Sequence, residues 1–251
     1  MVAKIPLNGA GITLEQYQKY TMIADDDDKE FVGHKTLNIF LDIPMNEVRS
    51  IPQAQAEELV KDITDAMDEM PPLDYTFEFN GTTYGFIPDL EELTLGEYID
   101  LEEYLVKPAE WHKAAAVLFR PVKDKVGQMY NIEPYKGSKD DHQIMKSLPA
   151  SQFVNATLFF LPFKQSLVST FSYLFGEAKQ KDEGEGLVDL SLEGQFSQRW
   201  GWFGALHSLS GGDATNFRKS TKINVYDALT WLSYEKDRSD TESKIMKRNR
   251  K

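Results

Sequence analysis

The segment Leu73–Leu90, "LDYTFEFNGTTYGFIPDL", changes the hydrophobic period of the chain from helical to alternating. Tyr75, Phe77 and Phe79 alternate with polar residues, and Asn80-Gly81 follows them. Because Asn-Gly readily adopts the two positive φ angles of a type I′ turn, the segment predicts a β-hairpin. A lone hairpin is marginally stable in water, so we expect its aromatic face to pack on neighbouring helices.

Helices are predicted on both sides of the hairpin, and two of them begin with the same signature. "TLEQYQKY" starts at Thr13 and "TLGEYIDLEEYL" starts at Thr94. The residue three positions later is Gln16 in the first segment and Glu97 in the second, which is the capping-box pattern. Apolar residues then recur at helical spacing in both segments. The similarity of the two segments is therefore explained by helix initiation.

Periodicity and helix-end signals predict several further helical segments. They are "EFVGHKTLNIFLDI", residues 53–70, "PAEWHKAAAVLFR", "SKDDHQIMKSL" from Ser138, the apolar run Phe153–Phe175 with a kink or break at Pro162, "FSQRWGWFGALHSLSGG" with its glycine end, and the segment capped by Asn224. In that last segment Val225, Ala228, Leu229 and Leu232 are predicted to face inward. "KVGQMYNIEPYKG" is predicted as a loop with a short extended piece.

The predicted fold class is mainly α (α+β), a helical bundle with one inserted aromatic β-hairpin around residues 75–87 and a C-terminal helical unit. Charge and glycine content rise between Glu177 and Glu193 while the periodicity is lost, which indicates a linker. The predicted division is an N-terminal helical unit at 1–72, a hairpin plus helical core domain at 73–176, a linker at 177–193, and a C-terminal helical unit with a basic tail at 194–251.

Composition narrows the classes of function. The chain has 251 residues, a formal net charge of −12 and no cysteine. The charge disfavours general nucleic-acid binding, because phosphate backbones would be repelled by the average surface. The lack of cysteine excludes disulfides, thiolate nucleophiles and cysteine-ligated metals. No export signal is recognised at the N-terminus, so we expect the protein to act in the cytosol.

The apolar run Phe153–Phe175 is long enough to raise the question of a membrane span. Asn155, Lys164 and Gln165 interrupt it, together with several hydroxyl residues. A buried helix of a globular domain tolerates such residues on its outer stripe. We therefore expect a core helix and no membrane association.

Polar clusters offer few candidates for chemistry. The four histidines, His34, His112, His142 and His207, form no ligand pair at helical spacing. "ADDDDKE" at 24–30 could bind a cation through carboxylates, but its adjacent charges are typical of a solvated loop. "KDDHQ" at 139–143 could serve a metal-dependent hydrolase, and a charged first helical turn explains it equally well. No catalytic, cofactor-binding or metal-ligating residues are predicted, and the protein is predicted not to be an enzyme.

Two groups of residues near the C-terminus are the candidates for an interface. Trp200, Trp202 and Phe203 form an aromatic cluster that would be core if buried and an interface anchor if exposed. A basic island on an acidic protein suits either a helix end or contact with an acidic partner or nucleic acid. That island consists of Lys244, Lys247, Arg248, Arg250 and Lys251.

A succession of segments across about residues 12–176 resembles a group of tailed-bacteriophage proteins encoded among virion genes and often described as tail assembly chaperones. The segments are "ITLEQYQKY", "LNIFLDIPMNEVRSIP", "FEFNGTTYGFIPDLEELTLGEYIDLEEYL", "WHKAAAVLFRPV", "YNIEPY" and "MKSLPASQFVNATLFF". The resemblance is one of pattern, and it weakens in the C-terminal unit. It brings no catalytic residues with it.

The resemblance implies a non-enzymatic role in phage tail morphogenesis. A chaperone of that group would bind apolar segments of a tail component in the host cytoplasm until the tail tube polymerises. The alternative is a virion structural protein of the neck or tail, a ring or connector subunit that contacts the portal, tail proteins or DNA. Either role implies phage proteins as partners, and a homo-oligomer is possible in both.

Overall fold

The computed structural model of the chain describes residues 11–137, 142–175 and 192–249. In these residues the fold is mainly α, with one four-stranded antiparallel sheet in the order β1-β2-β3-β4, which confirms the predicted class. The helices are α1 Leu14–Thr21, α2 Lys29–Leu41, α3 Met45–Val48, α4 Gln53–Asp68, α5 Leu95–Leu105, α6 Trp111–Leu118, α7 Ala150–Thr170, α8 Ser172–Phe175, α9 Leu192–Leu209, α10 Phe217–Ser220 and α11 Val225–Asn249. The strands are β1 Thr76–Phe79, β2 Thr82–Phe86, β3 Phe119–Val126 and β4 Met129–Ile132.

The chain divides into two compact units. The first holds the described residues up to Pro88 together with Asp100–Phe159, and the second holds Asp89–Ile99 together with the described residues from Phe160 onward. This division differs from the predicted one, in which residues 1–72 stand apart from the core domain. Backbone hydrogen bonds explain the difference, because Leu14 donates to the Leu148 carbonyl at 2.7 Å and Ala150 donates to the Ile12 carbonyl at 2.8 Å. The predicted linker at 177–193 lies almost wholly outside the described residues.

The predicted hairpin is formed by β1 and β2. Its turn residues Asn80 and Gly81 have φ angles of 49° and 76°, so both are positive as a type I′ turn requires. Phe77 lies opposite Tyr84 in the register, and Phe79 lies opposite Thr82. The hairpin prediction is therefore confirmed.

A second hairpin, β3 and β4, was not predicted. The helix expected to reach Arg120 ends at Leu118, and β3 begins directly after it with Phe119 paired to Phe86. The turn to β4 passes through Gly127, whose φ of 62° is suited to glycine. The segment from Lys125 was predicted as a loop with a short extended piece, and β4 is that piece. The start of β3 was not predicted, because its pairing with β2 supplies backbone partners that the local sequence pattern does not reveal.

Aromatic side chains fill the space between the sheet and α7 in the first unit. Phe119 is 1% exposed, and its ring lies 5.4 Å from Phe77 and 5.8 Å from Phe86 between centroids. Phe86 in turn lies 6.2 Å from Phe159 of α7. The sheet thus obtains the helical support that an isolated hairpin lacks.

Gly85 of β2 is required by close packing. A Cβ atom placed on Gly85 would come within 2.6 Å of the Tyr130 ring and 3.0 Å of the Ile132 side chain. Tyr130 is held in this position because its hydroxyl donates a hydrogen bond of 2.8 Å to the Phe86 carbonyl. Any side chain at residue 85 would therefore displace the ring that covers β2.

Both predicted capping boxes are present. At α1 the Thr13 hydroxyl accepts the Gln16 N–H at 3.3 Å, and the Gln16 side chain accepts the Thr13 N–H at 3.0 Å. At α5 the Glu97 carboxylate accepts the Thr94 N–H at 2.8 Å and the Thr94 hydroxyl at 2.6 Å. The likeness of the two segments thus lies in how their helices begin.

Replacing Thr94 with alanine should lower the free energy of unfolding by about 1 kcal/mol, since one N–H at the start of α5 loses its side-chain acceptor. Urea denaturation followed by circular dichroism would measure the loss. Thr94→Ser keeps the hydroxyl and serves as the control, with a smaller expected change. Equal midpoints for the alanine variant and the parent protein would contradict a stabilising role for this cap.

The second unit contains the start of α5 up to Ile99, the part of α7 from Phe160 onward, and α11. The Leu95 N–H donates to the Ile223 carbonyl at 2.8 Å, and the Val225 N–H donates to the Leu93 carbonyl at 2.9 Å. These two backbone hydrogen bonds join the start of α5 to the start of α11. The four residues of α11 predicted to face inward are all buried. Helix α7 contributes Phe160 and Leu167, both fully buried, and continues without a break through Pro162.

Candidate functional site

The predicted aromatic cluster lies in α9, at a backbone kink. Gly201 has φ 39° and ψ −122° and so interrupts the helical path between Trp200 and Trp202. Trp202 is half-buried, with its ring edge-on to Tyr98 at 5.6 Å. Trp200 is 43% exposed and Phe203 is 48% exposed. The kink therefore lies between the exposed Trp200 and the half-buried Trp202, and Phe203, which follows Trp202, is exposed again.

Trp200 and Phe203 form an ordered pair on the surface of the second unit. Their ring centroids are 5.4 Å apart, and Phe203 also meets Phe217 of α10 edge-on at 5.2 Å. The turn that leads to α10 is fixed by Asp213, which accepts hydrogen bonds from the N–H and the hydroxyl of Thr215, both at 2.8 Å. These bonds hold the pKa of the Asp213 carboxyl below its usual range.

An exposed aromatic pair of this kind can bind another protein. Trp and Phe offer large apolar surfaces that lose little conformational entropy on binding, and Trp is prominent among interface hot spots. The Phe217 ring packs edge-on against Phe203, so the geometry of the Trp200–Phe203 pair is formed before a partner binds. The arrangement suits apolar contact and contains no nucleophile or acid–base pair.

Helix α11 carries the predicted basic island. Lys244, Lys247 and Arg248 are all exposed, and Arg250 and Lys251 lie outside the described residues. The helix is anchored nearer its middle, where Lys236 donates to the carbonyl of Leu174 at 3.4 Å and the Tyr173 hydroxyl donates to Asp240 at 2.6 Å. Beyond Asp240 every residue up to Asn249 is exposed.

The Tyr173–Asp240 bond changes the acidity of the tyrosine. Because Asp240 accepts a hydrogen bond from the neutral phenol, and because the Asp240 and Asp237 carboxylates repel a phenolate, the pKa of Tyr173 rises to about 12. The Lys236 ammonium also lies 4.7 Å from the centre of the Tyr173 ring. Tyr173 is thus a neutral donor at any physiological pH, and the contact holds α8 and α11 together.

Two exposed aromatic residues of α11 were missed by the sequence analysis. Trp231 is 54% exposed and Tyr234 is 59% exposed, with ring centroids 6.4 Å apart. They lie on the side of the helix opposite the buried Leu229 and Leu232. Trp231, Tyr234 and Ile245 fall on one face of the helix at combined spacings of three and four residues. The residues between Tyr234 and Ile245 are polar, so this face was not recognised from the sequence.

Two of the four histidines, His112 and His142, lie close together in the first unit. The rings of His112 and His142 lie 5.3 Å apart, and the Gln18 amide is 3.2 Å from Nδ1 of His112 while donating to the Pro108 carbonyl at 2.6 Å. The other members of "KDDHQ" that could supply carboxylates, Asp140 and Asp141, lie outside the described residues. Across residues 11–137, 142–175 and 192–249, no group of three or more histidine or acidic side chains could hold a metal ion.

Burial strongly lowers the basicity of His112. Burial, and then the nearby charges of Lys146, His142 and Lys113, lower the pKa of His112 to about 4, with Glu110 opposing them. The folded protein therefore keeps this imidazole neutral. His112 acts as a buried acceptor for the Gln18 amide in that form.

Stability should fall as the pH decreases from 6.5 towards 4, since the unfolded chain then protonates His112 while the folded chain does not. The expected loss from this residue is about 2 kcal/mol, after allowing for solvent screening of the full shift. Urea unfolding of the parent protein and of His112→Gln at pH 7.5 and pH 4.5 would measure it. The variant should lose less stability between the two pH values, and an equal loss would contradict the assignment.

The acidic stretch at 24–30 forms the turn between α1 and α2. Asp28 accepts the Phe31 N–H at 2.9 Å and thereby caps α2, and Asp26 accepts the Asp28 N–H at 2.9 Å. The four aspartates spread their charges over an exposed loop. Their observed roles are those of a cap and a turn.

None of the helices among the described residues is both long enough and apolar enough to cross a membrane. Comparison of the chain with known protein families, with curated proteins and with solved structures finds no match.

Proposed function

We propose that this protein is a non-enzymatic assembly factor of a tailed bacteriophage, which binds apolar segments of a tail component before the tail polymerises. The observation that carries the proposal is the exposed pair Trp200 and Phe203, which is preformed on the second unit. The resemblance of residues 12–176 to tail assembly chaperones is the reason for proposing a role in phage tail assembly. Partners are phage tail proteins, and the host cytoplasm is the place of action.

The physical properties of the surface support a binding role. An exposed apolar residue by itself is common, but a pair of rings in contact, with a third ring edge-on to one of them, forms a contiguous patch. Such a patch would contact the apolar face of an amphipathic helix in the partner. The formal charge of −12 favours solubility of the free protein and of the complex.

Co-expression tests the chaperone proposal directly. The protein would be produced together with each tail protein encoded by the same phage, and the soluble fraction of each tail protein would be measured. We expect one tail component to be soluble only with the parent protein. The double variant Trp200→Ala/Phe203→Ala should reduce its soluble yield about tenfold, since an interface anchor contributes 1.4 kcal/mol or more.

A matched control removes an exposed phenylalanine elsewhere. Phe31 is 37% exposed in the first unit, so Phe31→Ala should leave the soluble yield unchanged. Circular dichroism spectra would establish that each variant is folded. Equal solubilisation by the double variant and the parent protein would overturn the assignment of this surface, and failure with every tail protein would overturn the chaperone role.

A virion structural role is the second candidate, favoured by the exposed basic end of α11. Lys244, Lys247 and Arg248 would suit contact with an acidic neighbour or with DNA in a neck or tail ring. Mass spectrometry of purified particles distinguishes the two roles. A chaperone should be absent from mature virions, whereas a ring subunit should be present at a copy number set by the ring symmetry.

A further inference from the structure

The turn of the β1–β2 hairpin has the residue types that spontaneous deamidation of an asparagine requires. Asn80 is followed directly by Gly81, and both residues are exposed. A Cβ atom placed on Gly81 would meet nothing within 4 Å, so the backbone here is open to water. Asparagine is thermolabile because the next backbone nitrogen can attack its side-chain amide, and glycine places no side chain in the way of that attack.

The reaction needs only the chain and water. The Gly81 nitrogen attacks Cγ, the side-chain carbonyl carbon of Asn80. The bond from Cγ to Nδ2 breaks, and Nδ2 leaves as ammonia with the proton that the Gly81 nitrogen gives up. Water then opens the resulting five-membered succinimide ring. Addition of water at Cγ gives aspartate, whereas addition at the backbone carbonyl carbon of Asn80 gives isoaspartate, in which the main chain runs through Cβ and Cγ.

The folded turn holds the two reacting atoms apart. The φ angles of 49° at Asn80 and 76° at Gly81 are those of a type I′ turn. In such a turn the first central residue has a ψ angle of about +30°, the mirror image of the type I value. At that ψ the Gly81 nitrogen lies nearly opposite Cβ across the Cα–C bond of Asn80, so Cγ cannot come within bonding distance. The ring closes only after rotation about this Cα–C bond.

We propose that Asn80 is a deamidation site that the folded hairpin protects and that reacts when the hairpin opens. Rotation about the Cα–C bond of Asn80 turns Thr82 away from Phe79, its partner in the register. The same motion separates the rings of Phe79 and Tyr84, which lie edge-on with centroids 5.9 Å apart. The rate in the folded protein is therefore the rate of the open turn multiplied by the fraction of chains in which the turn is open.

The two products differ in whether the hairpin can form again. Aspartate keeps the number of main-chain atoms, and Asp-Gly favours a type I′ turn as Asn-Gly does. Isoaspartate adds one carbon to the main chain between Phe79 and Thr82, which a two-residue turn cannot absorb without a shift of register. Asn80→Asp should therefore keep nearly the urea midpoint of the parent protein, and chains that carry isoaspartate should have a lower one.

This inference does not rest on the proposed function, and peptide mass spectrometry of the full chain tests it. The parent protein would be incubated at mildly alkaline pH, in native buffer and unfolded in urea, and the conversion of Asn80 would be followed over time. We expect deamidation in native buffer to be at least about tenfold slower than in urea, which corresponds to a closed turn favoured by about 1.4 kcal/mol or more.

Two other asparagines serve as internal controls in the same digest, because trypsin places each on a peptide separate from Asn80. Asn8 precedes Gly9, so in urea it should react about as fast as Asn80. Asn131 is exposed but precedes Ile132, whose β-branched side chain crowds the attacking nitrogen, so it should react slowly even in urea. These two rates separate the effect of the dipeptide from the effect of the fold.

Phe79→Ala tests the role of hairpin opening, since it removes the ring next to the turn and leaves the Asn80-Gly81 pair unchanged. The ratio of the native rate to the rate in urea should rise about threefold, because an edge-on contact with Tyr84 that favours the closed turn is lost. Phe31→Ala, at an exposed site of the same unit, should leave this ratio unchanged.

Three results would overturn the proposal. An Asn80 that stays unmodified in urea would show that it is not a deamidation site. Equal rates in native buffer and in urea would show that the folded turn gives no protection. Equal ratios for Phe79→Ala and Phe31→Ala would show that opening of the hairpin does not control the reaction.

Discussion

Replacing Phe119 with alanine should lower the free energy of unfolding of the parent protein by about 3–5 kcal/mol. Phe119 is 1% exposed and lies at the first position of β3, where the rings of Phe77 and Phe86 both contact it. Alanine would leave a cavity that two surrounding rings cannot close without moving the β2–β3 pairing. Such a loss is a large part of the stability of a typical domain.

Urea denaturation followed by tryptophan fluorescence and by far-ultraviolet circular dichroism would measure the loss. Phe119→Leu keeps most of the buried volume and should cost less than the alanine variant. Phe31→Ala, at an exposed site of the same unit, should change stability little. A Phe119→Ala protein as stable as Phe31→Ala would show that the sheet does not depend on this aromatic contact.

Replacing Phe160 with alanine should have a comparable effect in the second unit, about 3–5 kcal/mol. Phe160 is fully buried, and its ring contacts Tyr98 at 6.4 Å and Phe163 at 6.1 Å. It therefore fills the space between α7 and the start of α5. Alanine at this position would remove both ring contacts and leave a cavity in the core.

Phe163 provides a control on the same helix. It lies one turn further along α7, is only half-buried and contacts Tyr226 edge-on at 6.1 Å. Phe163→Ala should therefore cost less than Phe160→Ala, because part of its ring is already in contact with water. Equal urea midpoints for the two variants would mean that the depth of burial along α7 does not govern the stability of this unit.

Local chemistry was sufficient to predict the helix ends and much of the core. The Thr94–Glu97 cap forms as expected because both groups belong to one helical turn. The buried positions Val225, Ala228 and Leu229 follow from the helical period alone. Asn224 caps that helix by accepting the Tyr226 N–H at 2.8 Å, another interaction between near neighbours in sequence.

Long-range pairing could not be predicted in the same way. Strand β3 contains Pro121 and several charged residues, so its own pattern is typical of a helix end followed by a loop. It becomes a strand because Phe119 pairs with Phe86, more than thirty residues earlier in the sequence. Contacts between distant segments decide such elements, and a single sequence does not display them.

The candidate surface was predicted in part. The aromatic cluster of α9 was identified, but periodicity could not separate Trp202 from Trp200, because the kink at Gly201 redirects the chain between them. The exposed face of α11 was missed because the residues between Tyr234 and Ile245 are polar, so no apolar face was recognised beyond Tyr234. Composition identifies apolar residues, and only packing tells which of them remain exposed.

The hydrogen bond from Asn224 to the Glu91 carbonyl joins residues 133 positions apart, and the N–H groups of Leu95 and Gly96 at the start of α5 also donate to distant carbonyls, those of Ile223 and Thr221. During synthesis the ribosome makes residues 89–99 first and the start of α11 roughly 7–27 s later, at 5–20 residues per second. For that interval Leu95 and Tyr98 lack the neighbours that bury them in the finished protein. The nascent chain is therefore expected to need protection from aggregation of its own, and slower translation should lower its soluble yield.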